Sequence, residues 1–163
     1  MTSERPGAVS RAAAGLLRTR WVVRAPIWLY KARLGFVLGH RFIMVEHTGR
    51  RSGRPRYVVL EVIDRPRPDR YVVASGFGDR SQWFRNVRVN PNVRLRVGGR
   101  AWAPAHARRL GRAEGAEALD RYAQAHPRSW AALRPVLESA LGAHIDDKGT
   151  NLPLVDFDAR GAR

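Results

Sequence analysis

Three β-branched runs, "RFIMVEHT" (41–48), "RYVVLEVI" (56–63) and "DRYVVAS" (69–75), follow one another closely and constrain the fold more than any other feature of the sequence. The connections "GRRSGRP" and "DRPRPD" are rich in glycine, proline and aspartate and read as turns, so the runs read as successive strands. "SQWFRNVRVNPN" (81–92) reads as a short helix stopped at Asn90 and Pro91. "VRLRVGG" (93–99) and "RAWAPAHARRL" (100–110) then predict a hairpin around Gly98 and Gly99. The order is helix, three strands, helix, two strands, without the βαβ alternation of a doubly wound parallel sheet. An α+β fold follows, a mainly antiparallel sheet or barrel with helices attached at both ends.

The last third predicts two helices. "AEGAEALDRYAQAH" (113–126) sets Ala116, Leu119 and Tyr122 or Ala123 on one face, and "RSWAALRPVLESAL" (128–141) sets Trp130, Leu133, Leu137 and Leu141 on another. Pro127 and Pro135 punctuate them, and "NLPLVDF" (151–157) is placed to add a closing strand. At 163 residues and 44% hydrophobic content, residues 11–163 are expected to form a single domain, with residues 1–10 disordered.

Residues 11–38 are apolar and basic by turns. Leu16, Leu17, Trp21, Val22, Val23, Ile27 and Trp28 alternate with Arg18, Arg20, Arg24, Lys31 and Arg33, the pattern of one or two amphipathic helices broken near Pro26. The arginines interrupt every apolar run, so no stretch reaches the roughly 18 uncharged residues of a transmembrane helix. A secretory cleavage pattern is not seen, and a cytoplasmic location is expected. Two readings of this helical segment stand: packing on the domain, or lying on an anionic membrane surface at the inner face of the cell membrane.

The chain has no cysteine, which excludes disulfides, thiolate-ligated metals and thiol catalysis. His40, His47, His106, His126 and His144 show no paired ligand spacing, so no metal is expected. The net charge of +16 is almost wholly arginine, since Lys31 and Lys148 are the only lysines, and it favours anionic partners.

Within this field one loop is distinct. "HTGRRSGRPR" (47–56) sets Thr48 and Ser52 beside Gly49 and Gly53 among Arg50, Arg51, Arg54 and Arg56. Glycine turns free backbone N–H groups for a concave anion nest, hydroxyls add donors, and guanidinium forks suit phosphate. A Walker loop is excluded, because Gly-Lys-Ser/Thr is missing and a strand follows. Further on, the strand ending in Ala74 and Ser75 presents small residues to which a flat ring can come close. Trp83 and Asn86, three apart, face one way at the start of a helix whose N-terminal residues 79–82 border the same anion.

The set T-G-R-x-S-G-x-x-R, a strand ending A-S, W-x-x-N-x-x-x-N-P and V-x-x-x-V-G, spread over residues 40–110, resembles the deazaflavin-dependent nitroreductase and quinone reductase family, the A group of deazaflavin-dependent split-barrel oxidoreductases. The resemblance implies an FMN-binding split-barrel-like fold. It also implies coenzyme F420, a deazaflavin with a phosphate and an oligoglutamate tail, as hydride donor to a quinone-type or nitroaromatic acceptor. It puts Arg51, Ser52 and Arg56 on the phosphate, with Arg50 and Arg54 as more exposed auxiliaries. The ring is implied to lie against Leu60, Ala74 and Ser75, with Trp83 and Asn86 lining the cleft. Family members carry tyrosines in the C-terminal third that line the substrate pocket; here Trp130, His126 and His144 stand in that region. Tyr122 and His126 remain as weak candidates for a proton donor. FMN in place of F420, a non-catalytic deazaflavin carrier, and a basic nucleic-acid-binding module are the competing readings.

Overall fold

The computed structural model describes residues 40–145 and 150–160; the expectations for residues 1–10 and for the whole amphipathic stretch 11–38 fall outside them. Six strands, β1 (Phe42–Thr48), β2 (Pro55–Arg67), β3 (Arg70–Ala74), β4 (Asn92–Val97), β5 (Ala103–Arg109) and β6 (Leu154–Asp158), form a closed barrel. The order around it is β1-β2-β3-β6-β5-β4, every pair is antiparallel, and β1 pairs with β4 to complete the ring. The expected α+β barrel is therefore present. The C-terminal stretch does close it, with β6 inserted between β3 and β5.

Alternation sends one side chain in two to the interior. Val93, Leu95 and Val97 of β4 are buried while Asn92 and Arg94 face water, and Ala105 and Ala107 of β5 repeat the pattern. These residues pack with Ile43, Val45, Val73, Val155 and Phe157 as one core. Each such side chain contributes about 1.5–3 kcal/mol by leaving water. Helix α1 (Gln82–Val89) joins β3 to β4 and adds Trp83, Phe84 and Val87 to that core, which fixes its position relative to the strands.

Helices α2 (Arg112–Ala125) and α3 (Pro127–Leu141) connect β5 to β6. A second apolar cluster forms where α2 covers the barrel, joining Ala118, Leu119 and Tyr122 to Ile63, Val72, Leu110 and Leu154. Because β3 and β6 are covered outside as well as filled inside, they are buried along nearly their whole length, Asp156 included. The buried face of α2 includes Gly115 and Ala118, with the expected Ala116 only half-buried. Gly115 lies so close to the barrel that a Cβ there would stand 3.0 Å from Thr150 Cγ2, and this contact sets the rotation of the helix.

Two element boundaries differ from expectation. β2 runs on through Asp64 to Arg67, and the turn shrinks to Pro68 and Asp69. Register irregularities between Val62 and Asp64 and between Asp64 and Arg67 accommodate Pro66, which has no N–H for a regular ladder. In α3, Pro127 starts the helix but Pro135 lies inside it, and the helix stops at Gly142, whose φ of +76° suits only glycine without strain.

Candidate functional site

A cavity of about 810 Å³ opens between the β1–β2 loop, the start of β2, the N-terminal end of α1 and α3. Its volume is in the range of small-molecule and cofactor sites. Arg50, Arg51, Ser52 and Arg56 stand at its basic end; Val58, Leu60, Ala74 and Trp83 form an apolar wall; Leu133, Val136, Leu137 and Ala140 of α3 face it across the opening.

The loop is held by its own backbone. Gly49 N–H donates to Arg54 O at 2.9 Å, Gly53 N–H to Gly49 O at 2.8 Å, and Ser52 N–H to Gly49 O at 3.2 Å. A Cβ on Gly49 would meet Ser52 Oγ at 2.8 Å, and Gly53 has φ +63°, so both glycines are required by geometry. The same bonds correct the expectation of a backbone nest: the amides of Gly49, Arg50, Ser52, Gly53 and Arg54 are all engaged within the protein. An anion at this end of the cavity would meet side chains rather than these amides. Among the described residues no carboxylate bridges Arg50, Arg51, Arg54 or Arg56, whereas Arg41, Arg70, Arg94, Arg108 and Arg121 are each paired with one. Ser52 Oγ accepts the Arg54 N–H at 3.4 Å, which leaves the hydroxyl hydrogen free to donate. This donor set of unpaired guanidinium groups and one hydroxyl fits a phosphate.

The roles of the arginines also change. Arg50 was expected among the exposed auxiliaries, yet it is half-buried, with Nη1 on Gln82 Oε1 and Asn86 Oδ1, both at 3.0 Å. Its N–H donates to the same Asn86 oxygen at 3.2 Å. Two donors on Oδ1 fix the amide orientation, so Asn86 Nδ2 must be the donor in its 3.1 Å bond to His47 Nδ1. His47 is thereby held as the neutral Nε2–H tautomer. Arg54, by contrast, is exposed and does not line the cavity.

Burial first, and then the charge of Arg56, lower the His47 pKa to about 4. The folded value lies below the ordinary 6.5, so at pH 7 both states are neutral and stability is unaffected. As pH falls from 6.5 to 4, the unfolded chain takes up a proton that native His47 refuses, and stability drops by up to roughly 3 kcal/mol. We expect urea denaturation at pH 7 and pH 4.5 to show a loss about 2–3 kcal/mol smaller in His47→Leu than in the parent protein. Equal losses in the two would show that His47 titrates normally.

Trp83 is 9% exposed, packs edge-on against Phe84 at 5.8 Å between ring centroids, and also walls the cavity, so it serves core and site at once. Leu60 and Ala74 line the cavity as expected. Ser75 does not: it is fully buried, donating to Gly78 O at 2.8 Å with its Oγ also 2.7 Å from Ser81 Oγ. Its work is to shape the turn that carries Ser81 and Gln82 to the cavity. Tyr122 and His126 are also misplaced as proton donors, because they line a different cavity that shares no residue with this one. The Tyr122 hydroxyl donates to Glu61 Oε1 at 3.0 Å, and burial followed by that bond raises its pKa. His126 is exposed, its ring 5.3 Å from that of Tyr122.

Sequence reasoning missed His47, Tyr57, Phe77 and the α3 residues as lining groups, whereas Gly76 was read with Ala74 and Ser75 as part of a small-residue strand end. Gly76 and Gly78 admit α3 to the cavity: a Cβ on Gly76 would stand 3.1 Å from Leu137 Cδ2, and one on Gly78 2.9 Å from Leu141 Cδ1. The Gly-x-Gly spacing was the available signal. Arg80 Nη2 donates to Ala140 O, and Glu138 accepts from Arg134, from His144 and from the Ile145 N–H, which secures the end of the helix. Burial opposes the charge of Glu138, but these bonds hold its pKa down at about 2.

The family model described as F420H(2)-dependent quinone reductase matches residues 22–134, more than half of the chain. No curated protein matches. Among solved structures, an F420-H2 dependent reductase (FDR-A) aligns with 23% identity over 74% of this chain and 96% of its own, with a TM-score of 0.51. A domain-swapped dimer aligns at 18% identity over 82% of this chain and 100% of its own, with a TM-score of 0.53. A protein from Clostridium acetobutylicum related to general stress protein 26, of the pyridoxinephosphate oxidase family, aligns at 12% identity over 82% and 84%, with a TM-score of 0.50. These three likenesses carry the barrel fold. The family match carries more: it spans the arginine loop, the whole of α1 and the first turns of α3, and the chain belongs to the F420H(2)-dependent quinone reductase family, oxidoreductases that use coenzyme F420.

Proposed function

We propose that the 810 Å³ cavity is where coenzyme F420 binds and where a quinone-type acceptor is reduced. The observation that carries this reading is the junction of carboxylate-free arginines with an apolar wall in one cavity, the two halves that a phosphorylated aromatic cofactor requires. Arg51, Ser52 and Arg56 hold the phosphate, and Arg50 braces the loop through Asn86. Val58, Leu60, Ala74 and Trp83 receive the ring. In its reduced form the bound deazaflavin supplies a hydride from a ring carbon. The chain's own residues position and desolvate: Trp83 fixes the plane of the ring, and Leu133, Val136 and Leu137 keep water from the reacting faces. The same aliphatic residues favour an apolar, planar acceptor, which suits a quinone, with nitroaromatic reduction incidental. Following F420H2 oxidation against a quinone and against a nitroaromatic tests this directly. A higher kcat/KM for the quinone is expected, and the reverse order would make the nitroaromatic the better description.

We further propose that residues 11–38 bring the enzyme to the inner face of an anionic membrane. Among the described residues no helix is long and apolar enough to cross a membrane. The support is the sequence: Trp21, Trp28 and Tyr30 suit the interface, and Arg18, Arg20, Arg24, Lys31 and Arg33 suit lipid phosphates, each at about 1 kcal/mol. Deleting residues 1–36 is expected to lower vesicle binding and turnover of long-tailed quinones at least tenfold, while F420 affinity and reduction of a short soluble quinone persist. Unchanged vesicle binding, or loss of the fold, would assign the segment to packing.

A further inference from the structure

His47 has one ring nitrogen unaccounted for. Nδ1 is committed to Asn86, and among the described residues no acceptor meets Nε2–H. The ring is 5% exposed yet borders the cavity. Nε2 is accessible from the cavity, so the partner of its N–H is to be sought in whatever fills that space.

Register fixes where along the cavity that partner lies. His47 pairs across β1 and β2 with Arg56, and Val45, the next residue on the same strand face, pairs with Val58. His47 therefore stands level with the phosphate end and one step from the apolar wall. The atoms of a guest above it are those linking anion to ring. In F420, as in FMN, that linker is a chain of carbons bearing hydroxyl groups, which are neutral acceptors. A neutral imidazole suits a hydroxyl oxygen, whereas an imidazolium would be drawn to the phosphate.

We infer that His47 is a ligand-binding residue whose Nε2–H donates to a hydroxyl oxygen of the polyol chain between phosphate and ring. The inference rests on the proposed reading of the cavity. It adds a polyol subsite to the phosphate and ring subsites, and it ties that subsite to the loop: Arg50 orients Asn86, and Asn86 sets the tautomer of His47. His47 acts here as a donor in binding and takes no part in proton transfer.

The test compares two probes, oxidised F420 and a deazaflavin carrying a methyl group in place of the polyol phosphate. His47→Leu is expected to weaken F420 about tenfold, equivalent to about 1.4 kcal/mol, and to leave the methyl probe unchanged. His47→Gln, which keeps an N–H donor, should recover part of the loss. Because a variant can disturb the barrel, the parent protein carries a second measurement: nitrogen-15 NMR of its histidines. The Nε2 resonance of His47 should shift when F420 is added and stay in place with the methyl probe, while Nδ1 remains an acceptor in both. Equal weakening of both probes, or an Nε2 resonance that ignores F420, would overturn the inference and leave His47 a wall residue. Failure of F420 to bind the parent protein would overturn the reading of the cavity along with it.

Discussion

Replacing Arg51 and Arg56 together by alanine is expected to weaken F420 binding by at least a hundredfold. Both guanidinium groups reach the basic end of the cavity, and neither has a carboxylate among the described residues to neutralise it. A hydrogen bond to a charged group contributes about 1.5–3 kcal/mol, so two of them correspond to roughly 3–6 kcal/mol. The control is Arg100 and Arg128, exposed and outside the lining, whose replacement changes net charge by the same amount. That pair should change affinity less than threefold at moderate salt, since exposed charges are screened over about 10 Å. Arg108 would be a poor control, because it bridges Glu114 and approaches the buried Asp156 at 3.6 Å. Titration of each double variant with oxidised F420 gives the answer. Equal weakening by both pairs would mean that only overall charge attracts the cofactor.

Asn86→Leu should cost more in stability than any other single change at the cavity. The amide is 5% exposed and satisfies three groups at once: the Arg50 N–H, the Arg50 guanidinium and His47 Nδ1. Leucine fills a similar volume but leaves the Arg50 N–H and His47 Nδ1 without partners and the Arg50 guanidinium with Gln82 alone, at about 1–3 kcal/mol for each group left unsatisfied and buried. A total of roughly 3–5 kcal/mol follows, which for a chain of this size lowers Tm by about 10 °C. Asn86→Asp separates the contributions. A carboxylate still accepts from Arg50 but cannot donate to His47 Nδ1, so the imidazole must place a proton on Nδ1 and its pKa should rise. Calorimetry and histidine NMR check the two parts. A Tm within 2–3 °C of the parent for Asn86→Leu would show that the loop does not depend on the amide.

How far the sequence led varies by residue, for physical reasons. The succession of elements along the chain and the final closing strand were legible because turns and alternation are local signals, whereas the order of strands around the barrel was not. The length of β2 was not, since Pro66 argues against a strand unless a register irregularity takes it out of the ladder, and such irregularities depend on the partner strand. The loop announced an anion through composition, but its backbone geometry was hidden. Which amides are free depends on closures such as Gly49 to Arg54, and which arginine is buried depends on a helix 32 to 36 residues away in sequence. His47 was silent because its place in β1, two residues after Val45, is that of an ordinary inward residue. Ser75 looked like a ring contact because small residues end β3, whereas its hydroxyl turns inward to the following bend. Tyr122 and His126 were weighed for chemistry alone. That Tyr122 of α2 meets Glu61, with the ring of His126 beside it, is a tertiary fact.

In the proposed reading this one cavity holds F420 between the arginine loop and Trp83. Titrating the parent protein with oxidised F420, and separately with FMN, while recording tryptophan fluorescence tests it most directly. Saturable quenching by F420 is expected, much weaker quenching by FMN, and loss of most of the F420 signal in Trp83→Phe with the remaining tryptophans unchanged. Retention of FMN in preference to F420, or quenching that persists undiminished in Trp83→Phe, would contradict the account.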